Sequence, residues 1–394
     1  MNPDLLQHIK QRAIQISNKA NEYREHIHKF PELSFLENET MKYVSDVLKK
    51  LKIPHNKEIG GTGVVALISP KNHSNSTAIA LRADLDALPI QEETNKEYSS
   101  VVSGVMHACG HDVHTAILLG AAQILNECKD DLSKPVKLIF QPGEEKSPGG
   151  ATLMLSEGVL ENPKVDEMYA LHVFPDLNAG KVGFRPGRYM ASCDEIYITI
   201  EGKGGHAAMP DKCIDPITIG ATIVLQLQQI ISRKCDPKIP CVLSFGSFEG
   251  GSTTNVIPST VTLKGTFRTM DEKWREQAIL LIKNQVAKLA ELNGAKSIIE
   301  IIKGYPCLDN DPLLTQRLKE KAQKSLGGKN VIDLPIRLTS EDFSFYSQQI
   351  PVCFFRLGVR NEGKGIIYNV HHPKFDIDKR AITTGIEMMC LAAI

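Results

Sequence analysis

Long hydrophobic runs are absent from this sequence. No stretch approaches the ~20 uninterrupted apolar residues that a membrane-spanning helix requires. Residues 1–20 are polar with helical spacing and do not contain the apolar core of a signal peptide. We therefore expect a soluble protein with no membrane partner.

Net charge and paired cysteines are also lacking. The 394 residues include 46 basic and 46 acidic side chains, so the formal charge is zero, and no basic block stands out. Nucleic acid is therefore not an expected partner. The nine cysteines are scattered and odd in number, without paired spacing. That pattern indicates reduced thiols in a reducing compartment, and thus a cytoplasmic protein.

The sequence does contain enough hydrophobic residues for a large core. They make up 42% of the chain, and a chain of this length typically forms more than one domain. In the first half, segments with helical apolar spacing alternate with short apolar runs typical of buried strands. The predicted order is helix, strand, strand, helix, strand, at 37–51, 64–68, 78–81, 114–127 and 136–140. This alternation predicts an α/β domain with a mixed, largely parallel sheet and helices on both faces.

The pattern changes after about residue 186. Apolar and polar side chains now alternate in the first strand-like segment, as in a half-exposed strand. Strands and helices follow in the order βαββαβ, over 195–201, 215–234, 242–249, 260–270, 271–292 and 297–302. This is the order of a ferredoxin-like unit. We predict a discontinuous α/β domain at 1–186 and 304–394, interrupted by an inserted domain at 187–303.

The richest source of metal-ligand atoms is the segment Met106–His114. Cys109 and His111 stand two residues apart in it, next to small Ala and Gly residues. A thiolate and an imidazole at that spacing can bind one metal ion or one metal pair. His107 and His114 compete for the same role, because His107 and His111 lie one turn apart if the segment is helical.

An acidic pair, Glu144-Glu145, follows the predicted strand 136–140. Adjacent residues in an extended loop point in opposite directions, so one carboxylate can bind metal while the other faces a water molecule. A general base close to that water is what amide hydrolysis needs. Most such pairs are only solvated acidic turns, so the pair carries weight only together with other metal ligands.

Two further imidazoles lie in or after apolar runs. His172 lies inside the run 169–173, where a lone histidine is more often a satisfied core residue than a ligand. His371 follows the strand-like run 365–370, and His372 competes with it for the same role. The residues alone do not choose among these imidazoles. Together, a thiol, several imidazoles and a carboxylate pair predict a hydrolytic metal site.

Carboxylates also follow the predicted strand 78–81. Asp84 and Asp86 come just past it, where open α/β sheets place their binding sites. Asp84 can hydrogen-bond the far nitrogen of a ligating histidine and fix its tautomer. Turn and cap chemistry is the alternative for either residue.

The inserted domain has its own cluster of polar residues. His206 lies in the Gly-rich turn 202–210, and Asn255 and Arg268 lie on or beside two predicted central strands. The guanidinium of Arg268 can receive a carboxylate. Taken singly, each residue has an ordinary explanation, since Gly-rich turns are common connectors.

Taken in order, these motifs resemble those of one family. The resemblance covers nearly the whole chain, through segments 28–33, 82–89, 106–114, 141–145, 171–173, 204–210, 255–258, 340–343 and 371–375. With them the chain resembles the dinuclear-metal aminoacylase and carboxypeptidase superfamily. Within it, the chain resembles the amidohydrolase branch that includes hippurate hydrolases, auxin-conjugate hydrolases and N-acetyl-diaminopimelate deacetylases.

The resemblance implies a role for each candidate residue. The ligands of two divalent metal ions would be Cys109, His111, Glu145, His172 and His371. Zn is the default ion, and Mn, Co or Ni remain open. Glu144 would be the catalytic acid/base, and Asp84 would support a ligand. The inserted domain would form a lid and a homodimer interface, with His206 acting in the partner's site, and Asn255 and Arg268 would help to bind substrate.

The same resemblance implies an activity. A metal-bound water, deprotonated by Glu144, would cleave an N-acyl amino acid to a free amino acid and a carboxylic acid. A dipeptidase or carboxypeptidase with the same site is the rival, and a catalytically dead binding module is disfavoured by the complete residue set. Two positions depart from the pattern. Gly143 stands where the acidic motif usually has Ala, and Asp211 stands where the branch usually has His.

Overall fold

The computed structural model describes residues 3–71 and 77–394. Its helices are α1 Pro3–Lys29, α2 Asn38–Lys50, α3 His111–Glu127, α4 Gly150–Ser156, α5 Pro216–Gln229, α6 Glu272–Leu292, α7 Pro312–Leu326, α8 Ser344–Ser347 and α9 Arg380–Ala392. Its strands are β1 His55–Ile59, β2 Gly63–Ile68, β3 Ala78–Asp84, β4 Val136–Gln141, β5 Val165–Asn178, β6 Val182–Phe184, β7 Gly187–Met190, β8 Asp194–Glu201, β9 Gly205–His206, β10 Cys241–Glu249, β11 Val256–Ile257, β12 Thr260–Thr269, β13 Lys296–Lys303, β14 Leu308–Asn310, β15 Val331–Asp333 and β16 Val352–Arg360.

The chain forms two compact units. The first comprises the described parts of Met1–Gly187 together with Asp309–Pro335 and Phe345–Ile394. The second comprises Arg188–Leu308 and Ile336–Ser344. The inserted domain at 187–303, with its lid and dimer roles, stays a prediction.

The first unit is built on an eight-stranded sheet of order β1-β2-β4-β3-β5-β16-β6-β15. Strand β3 runs parallel to β4 and β5, and β5 runs parallel to β16, whereas β1 and β2 add antiparallel neighbours at one edge. The predicted mixed, largely parallel α/β sheet is confirmed. The register pairs Asp84 with Gln141, so the residues that follow β3 and β4 emerge at the same edge.

Helix α3 is buried along nearly its whole length. Its small residues allow close packing, and a Cβ on Gly120 would come within 2.6 Å of Ile386 on α9. Because the helix is enclosed by other core elements, its first residue, His111, has a fixed position near the carboxyl ends of the central strands.

The second unit contains a four-stranded antiparallel sheet of order β10-β12-β8-β13. Ile196, Ile198 and Ile200 of β8 are fully buried in a core shared with α5 and α6. The Asp271 carboxylate caps the start of α6, and Gly294 follows its end with a φ of +74°. The order β8-α5-β10-β12-α6-β13 confirms the predicted ferredoxin-like arrangement.

The strand-like interpretation of the run 365–370 is wrong. This segment forms only an isolated bridge between Ile366 and Asn361, and Gly365 turns the backbone with a φ of +70°. The Tyr368 ring stacks on His372 at 4.4 Å, so this aromatic residue packs within the loop and not in a strand ladder.

Among the helices described, none is both long and apolar enough to cross a membrane.

Candidate metal centre

A tight turn places Cys109 and His111 side by side. Gly110 between them has a φ of +82°, and a Cβ there would lie 2.6 Å from a methyl group of Val173. Only glycine meets both conditions without strain. Both functional side chains are buried.

Three ligand atoms converge in the first group, which we call the closed triad: Cys109, His111 and His172. These atoms all lie within 4.8 Å of one another, and Cys109 Sγ is 3.4 Å from His172 Nε2. His172 Nδ1 donates to the Val173 carbonyl at 2.8 Å. That bond fixes the tautomer, because Nδ1 carries the proton and Nε2 keeps its lone pair toward the thiol.

His111 has one nitrogen held and one left over. Its Nδ1 lies 3.1 Å from Asp86 Oδ1, whereas its buried Nε2 has no hydrogen-bond partner among the described residues. Burial opposes protonation of the ring, but the carboxylates of Asp84 and Asp86 outweigh it and raise the pKa of His111 to about 10. A nitrogen surrounded by carboxylates in this way favours a cation beside it.

A second group, which we call the open triad, consists of Cys109, Glu145 and His371. Glu145 Oε1 lies 3.2 Å from His371 Nε2, and the His371 side chain is 52% exposed. His371 has a φ of +64° and donates its backbone N–H to the Ala108 carbonyl at 2.8 Å. The two triads therefore share one thiol, and the turn that carries it also anchors His371.

Glu144 is buried between the triads. Its Oε2 lies 4.0 Å from His111 Nε2, and the two residues form a further metal-compatible group with Glu145. The backbone bends at these glutamates and is not extended as predicted, yet the two carboxylates still reach different histidines.

The donor chemistry of the triads fits divalent ions. Burial, reinforced by the charges of Glu145 and Glu144, raises the pKa of the Cys109 thiol well above its usual value. The thiolate that would ligate a metal is therefore stable only with a cation beside it. One thiolate, three imidazoles and a carboxylate are donors of the kind that Zn and its neighbours in the first transition row accept.

Three competing imidazoles are less suited to bind metal. His114 uses both nitrogens, since Nδ1 lies 2.6 Å from Asp84 and Nε2 accepts from the Val173 N–H at 3.0 Å. His107 precedes α3, so the helical spacing considered for it does not exist. His372 accepts a backbone N–H with Nδ1 and stacks on a tyrosine.

Asp86 contacts two of the candidate ligands, although no role of its own was predicted for it. Asp84, predicted to support a ligand, bonds His114 and Arg82, and its closest approach to His111 is 3.8 Å. Asp86 instead lies beside His111 Nδ1 and accepts the Glu145 N–H at 2.9 Å. The signal in the sequence was the Asp-x-Asp spacing, which marks both carboxylates without ranking them.

In the second unit, the predicted residues His206 and Asn255 lie on or beside a short two-stranded ribbon. His206 on β9 pairs with Val256 on β11, and the Ala207 N–H donates to the Asn255 carbonyl at 3.0 Å. The Gly-rich turn and Asn255 thus belong to one short ribbon, on which both His206 and Asn255 are exposed.

Arg268, the third predicted residue of this unit, binds no carboxylate among the described residues. This side chain is half-exposed on β12 and donates to the Leu338 carbonyl at 3.1 Å. A half-exposed arginine interacts with a backbone oxygen at no great cost, so this contact does not by itself indicate an anionic ligand.

Known proteins are similar in sequence to this chain over most of its length. A family model described as Peptidase family M20/M25/M40 matches residues 80–394. An N-acetyl-L-cysteine deacetylase of Bacillus subtilis is 40% identical over 91% of this chain and 83% of its own. Thermostable carboxypeptidase 1 of Saccharolobus solfataricus is 36% identical over 99% of this chain and 98% of its own.

A solved structure also matches. The Bacillus subtilis YXEP protein, described as a dinuclear metal binding peptidase from the M20 family, superposes with a TM-score of 0.83. It is 32% identical, and the match covers 96% of this chain and 97% of that one.

Proposed function

The chain belongs to peptidase family M20/M25/M40, and from this premise we propose that it is a metal-dependent amidohydrolase. Its substrates are N-acyl amino acids, which it cleaves to a free amino acid and a carboxylic acid. The observation that carries the proposal is the pair of triads that share Cys109, with the buried Glu144 carboxylate beside them.

The triads define which residues would hold metal. One divalent ion would be held by Cys109, His111 and His172, and a second by Cys109, Glu145 and His371. Bound metal polarises the scissile carbonyl and makes water a stronger acid. Zn suits the shared thiolate best. The same donors also accept Mn, Co or Ni, and which of these ions is bound depends on its availability.

Glu144 moves the proton in this proposal. As a carboxylate it takes a proton from the attacking water, and it then delivers that proton to the leaving amine nitrogen. Its burial keeps the proton from exchanging with solvent, and its Oε2 lies 4.0 Å from His111 Nε2. Asp86 supports the arrangement by holding the His111 ring and the Glu145 backbone.

The second unit supplies the remaining proposed roles. We assign the segment 187–303 as lid and dimer interface, His206 as a group that acts in the partner's site, and Asn255 and Arg268 as contacts for the substrate carboxylate. The exposure of His206 and Asn255 on one ribbon supports these roles, since a residue acting on another subunit must be accessible. Mixed His206→Ala and Glu144→Gln subunits should regain activity after exchange, whereas an active monomer would contradict the assignment.

A dipeptidase or carboxypeptidase activity is the second candidate. The resemblance to a thermostable carboxypeptidase favours it, because that relative covers 99% of this chain. A dead binding module is disfavoured because every predicted ligand and Glu144 are present.

All nine cysteines are free thiols, which supports the proposed cytoplasmic location.

One activity screen decides between the candidates. Protein reconstituted with Zn, Mn, Co or Ni under reductant is assayed on N-acetyl, N-succinyl, N-benzoyl and indoleacetyl amino acids and on dipeptides. The proposal requires faster turnover of at least one N-acyl amino acid than of any dipeptide. Turnover of dipeptides alone would establish the second candidate.

A further inference from the structure

The connection between α1 and α2 touches the loop that carries Glu144 and Glu145. Phe35 in this connection has a φ of +67°, a left-handed conformation that is rare for a bulky residue. Such strain persists only where surrounding structure enforces it, and it clusters at functional sites. The contacts of this connection therefore merit a functional explanation.

Glu37 makes the most unusual of these contacts. It is the N-cap residue of α2, yet its side chain makes no bond to its own helix. The fully buried carboxylate instead accepts the Gly143 N–H at 2.8 Å through Oε1 and the Thr62 hydroxyl through Oε2. The Glu37 carboxylate thus binds a backbone N–H 106 residues away and the Thr62 hydroxyl, and not the start of its own helix.

Gly143 is held from several sides. Its φ is +58°, and a Cβ there would lie 2.3 Å from the Phe35 ring. Its carbonyl accepts the Gly150 N–H at 3.0 Å, while its N–H is taken by Glu37. The residue directly before Glu144 is thereby fixed in position and direction.

The same connection reaches the next residue of the loop indirectly. The Ser34 hydroxyl donates to Asp86 Oδ2 at 2.7 Å, and the same oxygen accepts the Glu145 N–H at 2.9 Å. Ser34 thus holds the carboxylate that holds Glu145. Two residues of one connection therefore constrain the backbone on both sides of Glu144.

We propose that Glu37 is a positioning residue for the acidic loop, with Phe35 and Ser34 as its supports. It sets the backbone direction at Gly143 and thereby aims the Glu144 carboxylate, whereas Ser34, through Asp86, holds the backbone of Glu145. It touches neither substrate nor metal. Only the activity readout of this inference rests on the proposed function, because the loop geometry can be measured directly.

The test compares Glu37→Ala with Glu37→Gln. Glutamine keeps an acceptor for the Gly143 N–H and can donate to the Thr62 hydroxyl, so it should restore the position that alanine loses. Glu39→Ala is the matched control, since Glu39 lies in the first turn of α2 with an exposed side chain. Thr62→Val removes only the other partner of Glu37 and reports the purely structural part of its contacts.

In metal-loaded protein, Glu37→Ala should lower kcat at least tenfold, with KM within twofold and metal content unchanged. Glu37→Gln should stay within threefold of the wild type, and Glu39→Ala should not differ from it. Thr62→Val should lower thermal stability with kcat retained in the folded fraction. A split of this kind is not produced by a structural role, which lowers activity only as the folded fraction falls.

Amide hydrogen exchange of the peptide around 142–146, measured with and without metal, tests the same point without turnover. Exchange should be faster in Glu37→Ala and unchanged in Glu39→Ala. If Glu37→Ala does not fold, Ser34→Ala should show a smaller increase in exchange at Glu145. Unchanged exchange in Glu37→Ala and in Ser34→Ala would overturn the proposal. Failure of the wild type to hydrolyse any N-acyl amino acid would overturn the proposed function and leave this readout intact.

Discussion

The two triads share Cys109 but differ in access to solvent. Every member of the closed triad is buried, and its imidazoles are oriented by Asp86 and by a backbone carbonyl. In the open triad, Glu145 is only half-buried, and about half of the His371 side chain reaches solvent. One thiol thus stands between an enclosed set of donors and an accessible one.

The difference suggests a division of labour within one centre. Enclosed donors that are already oriented lose little entropy on binding, so we expect the closed triad to hold its ion more tightly. The open triad, next to solvent, is where we expect the ion to exchange faster and substrate to enter. Glu144 lies beside both triads, and we expect its role in proton transfer to require an ion at each of them.

The largest effect should come from Glu144→Gln, which removes the proton acceptor common to both triads. The amide is nearly the same size but cannot take a proton, so kcat should fall by about 10²–10⁴ with metal and fold retained. Glu145→Gln is the matched comparison, because it should lose metal from the open triad. The measurements are kcat and metal content of each purified variant. If Glu144→Gln kept more than about a tenth of the rate, another residue would have to be the base.

Replacing one histidine from each triad should separate them. His172→Ala should remove the tightly held ion, whereas His371→Ala should leave about one ion per chain and shorten its exchange time only slightly. Cys109→Ala should reduce both ions together with activity. Metal stoichiometry after gel filtration is the measurement, under reductant because an oxidised thiol does not ligate.

His372→Ala is the control for this comparison. It lies next to His371, but its Nδ1 already accepts a backbone N–H. Its metal content should match the wild type. An equal loss of metal in His372→Ala and His371→Ala would erase the distinction between the open triad and its surroundings.

Local sequence patterns predicted most elements of the fold, because hydrophobic periodicity reports which faces are buried. They failed at 365–370, where an apolar run has no strand partner and Gly365 turns the chain. Periodicity gives the preference of a segment, but pairing depends on whether a neighbour is available in the sheet.

The donors of the candidate centre were predicted from motifs, whereas their supports were not. The residues alone left the role of His172 open. Its Nε2 lone pair faces the Cys109 thiol because its Nδ1–H donates to the Val173 carbonyl. Asp86 and Glu37 support the site through backbone N–H groups of distant loops. Such contacts depend on the register between segments far apart in sequence, and no local pattern encodes that register.

Gly143→Ala should reduce stability, because Gly143 has a φ of +58° and the Phe35 ring lies where its Cβ would be. The variant adds a left-handed alanine and forces the Phe35 ring to move, together costing about 2–4 kcal/mol of unfolding free energy. Gly104→Ala is the matched control, because Gly104 has a φ of +75° with open space where its Cβ would be. Phe35→Leu should recover part of the loss in Gly143→Ala and none in Gly104→Ala. Equal losses in the two alanine variants would mean that the ring does not constrain the loop.

The smallest effect should come from a buried pair that, unlike the triads, already has its partners. Glu92 lies 3.3 Å from His28 and accepts the Ser100 N–H at 2.7 Å. Burial alone would raise the pKa of Glu92, but His28 and the other hydrogen-bond donors outweigh it and lower it to about 2. The ionised form is therefore favoured by folding, so this stability is complete above the ordinary pKa of 4.5 and is lost as pH falls toward 2.

The wild type should accordingly exceed Glu92→Gln by about 2 kcal/mol in unfolding free energy at pH 6, and the gap should narrow toward pH 3. Denaturant unfolding of metal-free protein at both pH values is the measurement, so that metal release does not contribute. Glu93→Gln is the control, since Glu93 is exposed and should show no such pH dependence. Added Zn should stabilise the wild type and Glu92→Gln equally. Unlike the triads, the pair of His28 and Glu92 offers no nitrogen or sulfur atom that could bind a cation. A Zn effect that depended on Glu92 would instead couple this pair to the metal centre.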